Sequence, residues 1–323
     1  MFLLFFLFVC IIITMWGDNV TNVSNVLFEK YQVRKTKQQK NEFIKFLKNN
    51  FPEMKVEEGG IPKSCNLVFG DLDNAKIVFT AHYDTCAVLP FPNFIMPKNI
   101  LLTILYSVLI CIPFFLVTGV VFSVLEYYLC NFLISYYVSV IFLFALILLV
   151  FILGIPNKHT ANDNTSGVIT VLEIMQTLTD EQREKCAFVL FDNEENGLLG
   201  SAYFRKVHKR IAKEKLIVNF DCVGDGDNIM LVYSKKSKKR YSDSLKAVFS
   251  VISDKTILHE NASTTFYPSD QMGFPNNVAV AALNRKSFVG YYMSRIHTKN
   301  DTICDMRNIT TLVEGFKKFT ERI

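Results

Sequence analysis

Between Lys98 and Lys158 the sequence carries a single charged residue, Glu126. On either side of it lie residues 100–125 and 127–153, each long enough to cross a hydrocarbon core of about 30 Å. Core helices of water-soluble proteins are seldom uncharged over such lengths, so the pattern predicts a transmembrane hairpin. Its turn falls near Glu126, Tyr127, Tyr128 and Asn131. Pro113 and Gly119 do not argue against a membrane helix, where both are tolerated. An even number of crossings returns the chain to the side it left, so the polar segments before and after the hairpin share one compartment. The opening run MFLLFFLFVCIIITMWG, residues 1–17, lacks the basic start of a signal peptide and reads as a further membrane segment ending near Trp16. Lys30, Arg34, Lys35 and Lys37 follow it, Lys98 and Lys158 flank the hairpin, and the hairpin tip has no Lys or Arg. The positive-inside rule then gives three spans, an outside N-terminus and a polar bulk on the cytoplasmic face of the bilayer.

Half of the 323 residues are hydrophobic, more than an ordinary soluble globule of this size carries once the spans are included. The net charge of +5 is dispersed except in YSKKSKKR, residues 233–240, which reads as a solvated loop. No aromatic interleaving accompanies that patch, so nucleic acid is not an expected partner. The eight cysteines form no CxxC pair and no framework spacing, which suits free thiols in a reducing compartment and gives no support to zinc on cysteine.

The remaining polar sequence, residues 18–97 and 158–323, alternates strand and helix signals. AKIVFTAHYD, CAFVLFDNEE, KLIVNFDCVG, NIMLVYS and NNVAVAALN read as buried strands. SGVITVLEIMQTL, GLLGSAYFRKVHKR, SDSLKAVFSVIS and NITTLVEGFKKFTERI read as amphipathic helices, with an earlier helix over residues 25–50. That alternation predicts an α/β sandwich around a largely parallel sheet, in which ligands gather beyond the carboxyl ends of strands. Those ends carry His82 and Asp84, then Glu194 and Glu195, then Asp221; two loops add Asp163 in NDNTSG and His297 with Asp301 in RIHTKNDT. Acids and histidines without cysteine suit a zinc-type site of nitrogen and oxygen donors. Two neighbouring glutamates at a strand end repel one another unless a cation lies beside them.

In order and local wording these motifs resemble the di-zinc aminopeptidases of metallopeptidase clan MH, a group that also includes glutaminyl-cyclase branches. The resemblance covers residues 77–84 and 162–302. It implies a three-layer α/β/α sandwich with a mixed, largely parallel sheet, two Zn2+ per chain and peptide substrates. It makes His82, Asp163 and Asp221 the ligands of one zinc and Asp163, Glu195 and His297 those of the other, with Asp163 bridging. Glu194 becomes the general base, and Asp84 orients the His82 ring. The doubled glutamate thereby separates metal binding from proton transfer. Gln271 in SDQMGFP stands where the family often has histidine, and Ile296 where many members have a tyrosine that stabilises the oxyanion, a role for which Tyr291 or Tyr292 are substitutes. The expected activity is that of a membrane-anchored exopeptidase, most simply an aminopeptidase. The alternatives are a cyclase acting on N-terminal glutamine and a membrane protein with an inactive hydrolase-like domain. Bland readings go to His208 (solvated), His259 (structural, near a helix end), His159 (interfacial) and Cys86 (a structural thiol).

Overall fold

The computed structural model describes residues 22–252 and 255–323. The apolar segment 1–17 lies outside them. A nine-stranded sheet forms the centre, its strands β1 (Lys55–Gly59), β2 (Ser64–Gly70), β3 (Ile77–His82), β4 (Cys186–Phe191), β5 (Leu216–Phe220), β6 (Asn228–Tyr233), β7 (Thr256–Asn261), β8 (Asn277–Lys286) and β9 (Gly290–Tyr292). They are ordered β1-β2-β4-β3-β5-β8-β6-β7, with β9 on β8. The central run β4-β3-β5-β8 is parallel, while β1-β2, β2-β4 and β6-β8 pair antiparallel. The sheet is therefore mixed and largely parallel.

Every residue of β3, β4 and β5 is buried, the signature of strands covered on both faces. The period of two is visible in the packing. Cys186, Phe188 and Leu190 of β4 enter one apolar cluster, and Ala187, Val189 and Phe191 enter the other. The first cluster is closed by helices α1 (Asn22–Lys30), α2 (Lys37–Asn50), α5 (Gly167–Thr177), α9 (Lys235–Ile252) and α10 (Met306–Thr320). The opposite cluster is closed by α7 (Leu199–Val207) and α8 (Lys209–Glu214) through Phe204, Ile211 and Ala212. That arrangement is a three-layer α/β/α sandwich. A short α6 (Asp180–Glu184) leads into β4.

Between β3 and α5 the chain forms α3 (Ile100–Leu129) and α4 (Phe132–Ile147), the second continued by a wider turn over Leu148–Ile152. Both helices are long and apolar enough to cross a membrane. At about 1.5 Å per residue, the 30 residues of α3 exceed the thickness of a hydrocarbon core. None of α3's residues is buried, and Pro113 sits inside it without ending it. The hairpin turns at Cys130, whose φ is +48°, and Asn131, whose Oδ1 accepts from the Ile134 amide at 3.2 Å.

Several sequence expectations change. The helix expected over residues 25–50 is two helices, α1 and α2. The second begins at a capping box in which the Thr36 hydroxyl accepts from the Gln39 amide and the Gln39 side chain accepts from the Thr36 amide. The basic patch 233–240 is not a loop: Tyr233 closes β6 and Lys235 opens α9, with the lysines pointing outward. The basic helix after Glu195 breaks at His208, which is half-buried and bonds Glu57 at 2.8 Å instead of facing only water. His259 lies in β7, not near a helix end, and bonds the Tyr233 hydroxyl at 2.7 Å. His159 is exposed. The described cysteines are all free thiols.

Candidate metal centre

Parallel strands β4, β3 and β5 lie side by side, so their carboxyl ends deliver neighbouring loops. His82 is the last residue of β3 and lies opposite Phe191, the last of β4. Three residues beyond Phe191 comes Glu194, then Glu195; Asp221 is the first residue after β5. Asp163 sits in the turn that enters α5, and His297 in the loop after β9 with φ +59°.

These side chains converge. The two oxygens of Asp163 face opposite ways: Oδ1 lies 3.3 Å from His82 Nε2, and Oδ2 lies 2.9 Å from His297 Nε2. His82 Nε2 is also 3.7 Å from Asp221 Oδ1, and His297 Nε2 is 3.3 Å from Glu195 Oε2. Donor atoms of His82, Asp163 and Asp221 form one compact group, and those of His82, Glu194 and Glu195 another. All seven residues expected from the sequence thus meet at one end of the sheet.

Asp84 does more than accompany His82. Its carboxylate is 3.6 Å from His82 Nδ1, whose nearer partner is the Asp84 carbonyl oxygen at 3.1 Å. The same carboxylate accepts from the backbone amides of Glu194 and Glu195, at 3.0 and 3.2 Å. One buried acid therefore fixes the backbone of both glutamates. Asp301 repeats the device on the opposite loop, accepting from the amides of Asn162 and Asp163 at 2.8 and 3.0 Å. The asparagines of NDNTSG complete the frame. Asn162 Oδ1 accepts from the Gly224 and Asp225 amides, and Asn164 Oδ1 from those of Gly167 and Cys222, tying the Asp163 turn to the Asp221 loop. Behind the glutamates, Asp192 pairs with Lys40 at 2.6 Å, and Asn193 and Leu198 adopt left-handed backbone.

Burial raises Glu194 well above the ordinary carboxylate range; His82 pulls against this, while Glu195, Asp221 and Asp270 add to it. Glu195 is raised by burial too, with His297 opposing and Asp163 adding. Asp163 moves the other way, because His297 and His82 outweigh its burial. Around His82, burial is overcome by Glu194, Asp163, Asp221 and Asp84, and around His297 by Glu195, Cys86 and Asp163, so both imidazoles are raised. The centre gathers five acids and two histidines: His82, Asp84, Asp163 and Asp221 are buried, and Glu194, Glu195 and His297 are partly buried. Glu195 Oε1 is buried there without a hydrogen-bond partner. Such a set requires added positive charge, and nitrogen with carboxylate oxygen is what a zinc ion accepts. The residues fit the metal.

Three contributors escaped the sequence reading. Arg34 is fully buried; its guanidinium donates to the Tyr83 and Tyr31 carbonyls and to Thr165, and burial lowers its pKa to about 10 against the pull of Asp84 and Asp163. Asp270 is buried with neither carboxylate oxygen hydrogen-bonded, and burial raises it to about 7. Tyr267 is buried and donates to the Asp221 carbonyl at 3.0 Å. Gln271 bonds Asn219 and the Tyr267 carbonyl. Tyr291 and Tyr292 lie in β9, their rings against Lys98 and Arg285 and against Phe94 and Lys286. Only the SDQMGFP wording pointed at Asp270, and nothing local marked Arg34.

Residues 151–314 match peptidase family M28. The match begins after α3, so His82 and Asp84 join the site through the fold. No curated protein matches the chain. Among solved structures, the Legionella pneumophila LapA aminopeptidase aligns with TM-score 0.55 and 14% identity, over 94% of this chain and 70% of that one. A glutaminyl cyclase from an Acidobacteriales bacterium aligns with TM-score 0.55 and 15% identity, over 94% and 96%. One from Macrostomum lignano gives 0.53 and 12%, over 94% and 92%. At these identities the likeness is one of fold.

Proposed function

Because this chain belongs to peptidase family M28, we propose that it is a membrane-anchored, zinc-dependent aminopeptidase that removes N-terminal residues from peptides. The observation that carries the reading is Asp163, one carboxylate oxygen turned to His82 and the other to His297. His82, Asp163 and Asp221 would hold one zinc ion, and Asp163, Glu195 and His297 a second. The bound ions would supply Lewis-acid polarisation of the scissile carbonyl and a water acidified toward neutral pH. Glu194 is left out of that ligand set and accepts the proton of the attacking water, then returns it to the departing amine nitrogen. Its raised proton affinity in the buried site suits that exchange. Asp84 serves as a positioning residue by holding the Glu194 and Glu195 amides.

Membrane anchoring rests on α3 and α4, whose side chains face outward and whose place between His82 and Asp163 leaves both polar segments on one side. The distribution of Lys and Arg supports a cytoplasmic catalytic domain. The feet of the hairpin reach the site itself: the Leu89 amide donates to the His297 carbonyl at 2.7 Å, and the Val88 amide to that of Ile155 at 2.9 Å. Substrates would therefore be peptide N-termini presented close to the bilayer surface.

The test uses detergent-purified full chain with a panel of short peptides, one beginning with glutamine. Wild type is expected to release free amino acids; ammonia release from the glutamine peptide alone would replace hydrolysis by cyclisation. Glu194→Gln is expected to lose at least about 10²-fold in kcat, as for removal of a general base, with its bound metal retained. Wild-type turnover in that variant contradicts the role given to Glu194.

A further inference from the structure

One thiol enters the metal centre. Donor atoms of Cys86, Glu195 and His297 lie within 4.8 Å of one another. We propose that Cys86 is a sulfur ligand of the ion held by Glu195, His297 and Asp163, an inference that rests on the metallopeptidase reading above. Two independent observations aim at one point. Cys86 is buried with 2% of its surface exposed, and among the described residues its thiol is approached by the Asn157 Nδ2 donor at 4.0 Å. Glu195 Oε1, in the same group, is buried and unpartnered.

Bonds of about 2.3 Å to sulfur and about 2.0 Å to nitrogen or oxygen put tetrahedral donors roughly 3.5 Å apart. The donors of Cys86, Glu195 and His297 lie within 4.8 Å of one another, a difference that rotation of their side chains on metal binding would close. The backbone holds Cys86 in place from two directions. Its carbonyl accepts from the Asn157 amide at 3.2 Å, Ala87 bridges to Pro156, and Leu89 donates to His297. Cys86 thus stands where the two feet of the hairpin rejoin, beside a ligand-bearing loop.

Ligation forms one sulfur–metal bond and releases the thiol proton to solvent, with no change of oxidation state. The donor set becomes one nitrogen, one sulfur and two carboxylates. A sulfur donor favours zinc or cadmium over magnesium and calcium, and it gives this ion a different environment from its neighbour on His82 and Asp221.

The test loads full chain in detergent with Co2+ and records near-ultraviolet absorption, cobalt per chain and peptide turnover. Wild type and Cys186→Ala, whose thiol lies in the core, are expected to show a sulfur-to-cobalt charge-transfer band. Cys86→Ala is expected to lose the band and to release metal to a chelator at least about 10-fold more readily, since even outer partners of a ligand contribute that much. A band that survives Cys86→Ala, or cobalt uptake with turnover and no band, overturns the ligation and leaves the peptidase reading standing. A chain that takes up neither cobalt nor zinc overturns both.

Discussion

Asp163 keeps 3% of its surface exposed and Leu116 keeps 65%. The metal centre buries ionisable side chains, and the hairpin turns apolar ones outward. Each region inverts the distribution of an ordinary globular protein, where charged groups seek water and large apolar groups avoid it. The inversions differ in kind. At the centre, several charges are met by specific neighbours: Asp163 by two histidines, Asp84 and Asp301 by pairs of backbone amides. In the hairpin nothing is specific; Leu105, Leu109, Leu116 and Val120 are exposed in succession along α3. A charge cluster needs particular partners at particular distances, whereas an apolar helix needs only an apolar medium.

That contrast is sharpened first by placing a charge in the hairpin. Leu116→Lys, midway along α3, is expected to oppose membrane insertion by about 2.5–3.5 kcal/mol. A drop in the carbonate-resistant membrane fraction, with metal content unchanged, checks it; unchanged partitioning would break the distinction between the two regions. Next comes the frame of the centre. A Cβ on Gly200 would overlap the Asp192 carbonyl oxygen and the Asn66 side chain, so Gly200→Ala is expected to destabilise the fold by about 1–3 kcal/mol and to lower kcat by displacing the Glu194 loop. Thermal unfolding and kinetics read the two effects separately.

Sequence alone made the parallel core legible because β3, β4 and β5 are predominantly apolar, and it pointed to the candidate site because strand ends there carry acids and histidines. It failed where tertiary context decides. β1 reads KVEEG and owes its place to its antiparallel pairing with β2, which no apolar run announces. Arg34, in the segment between α1 and α2, is an ordinary basic residue in sequence that the fold buries against the Tyr31 and Tyr83 carbonyls and Thr165. Cys86 read as a structural thiol because the expected hydrolysis does not need it, and only the fold brings it to His297.

The smallest effect concerns a histidine outside both regions. Burial, aided by Lys246 and opposed by Glu260, lowers the His259 pKa from 6.5 to about 4. Between those pH values the unfolded chain binds a proton that the folded chain does not, so stability is undiminished above about pH 6.5 and declines as pH falls toward 4. His259→Phe, which keeps an aromatic ring against Tyr233, is expected to flatten that acid limb. Identical pH dependence of denaturant midpoints in both proteins would assign the limb to other groups.

Everything at the centre turns on Asp163 as the residue shared by both histidines. The most direct measurement is zinc per chain, by elemental mass spectrometry, in purified full chain and in Asp163→Asn. Two zinc ions in wild type are expected, falling to one or none in the variant while the thermal transition persists. A wild type without zinc, or a variant that keeps both ions, would contradict the shared-carboxylate centre.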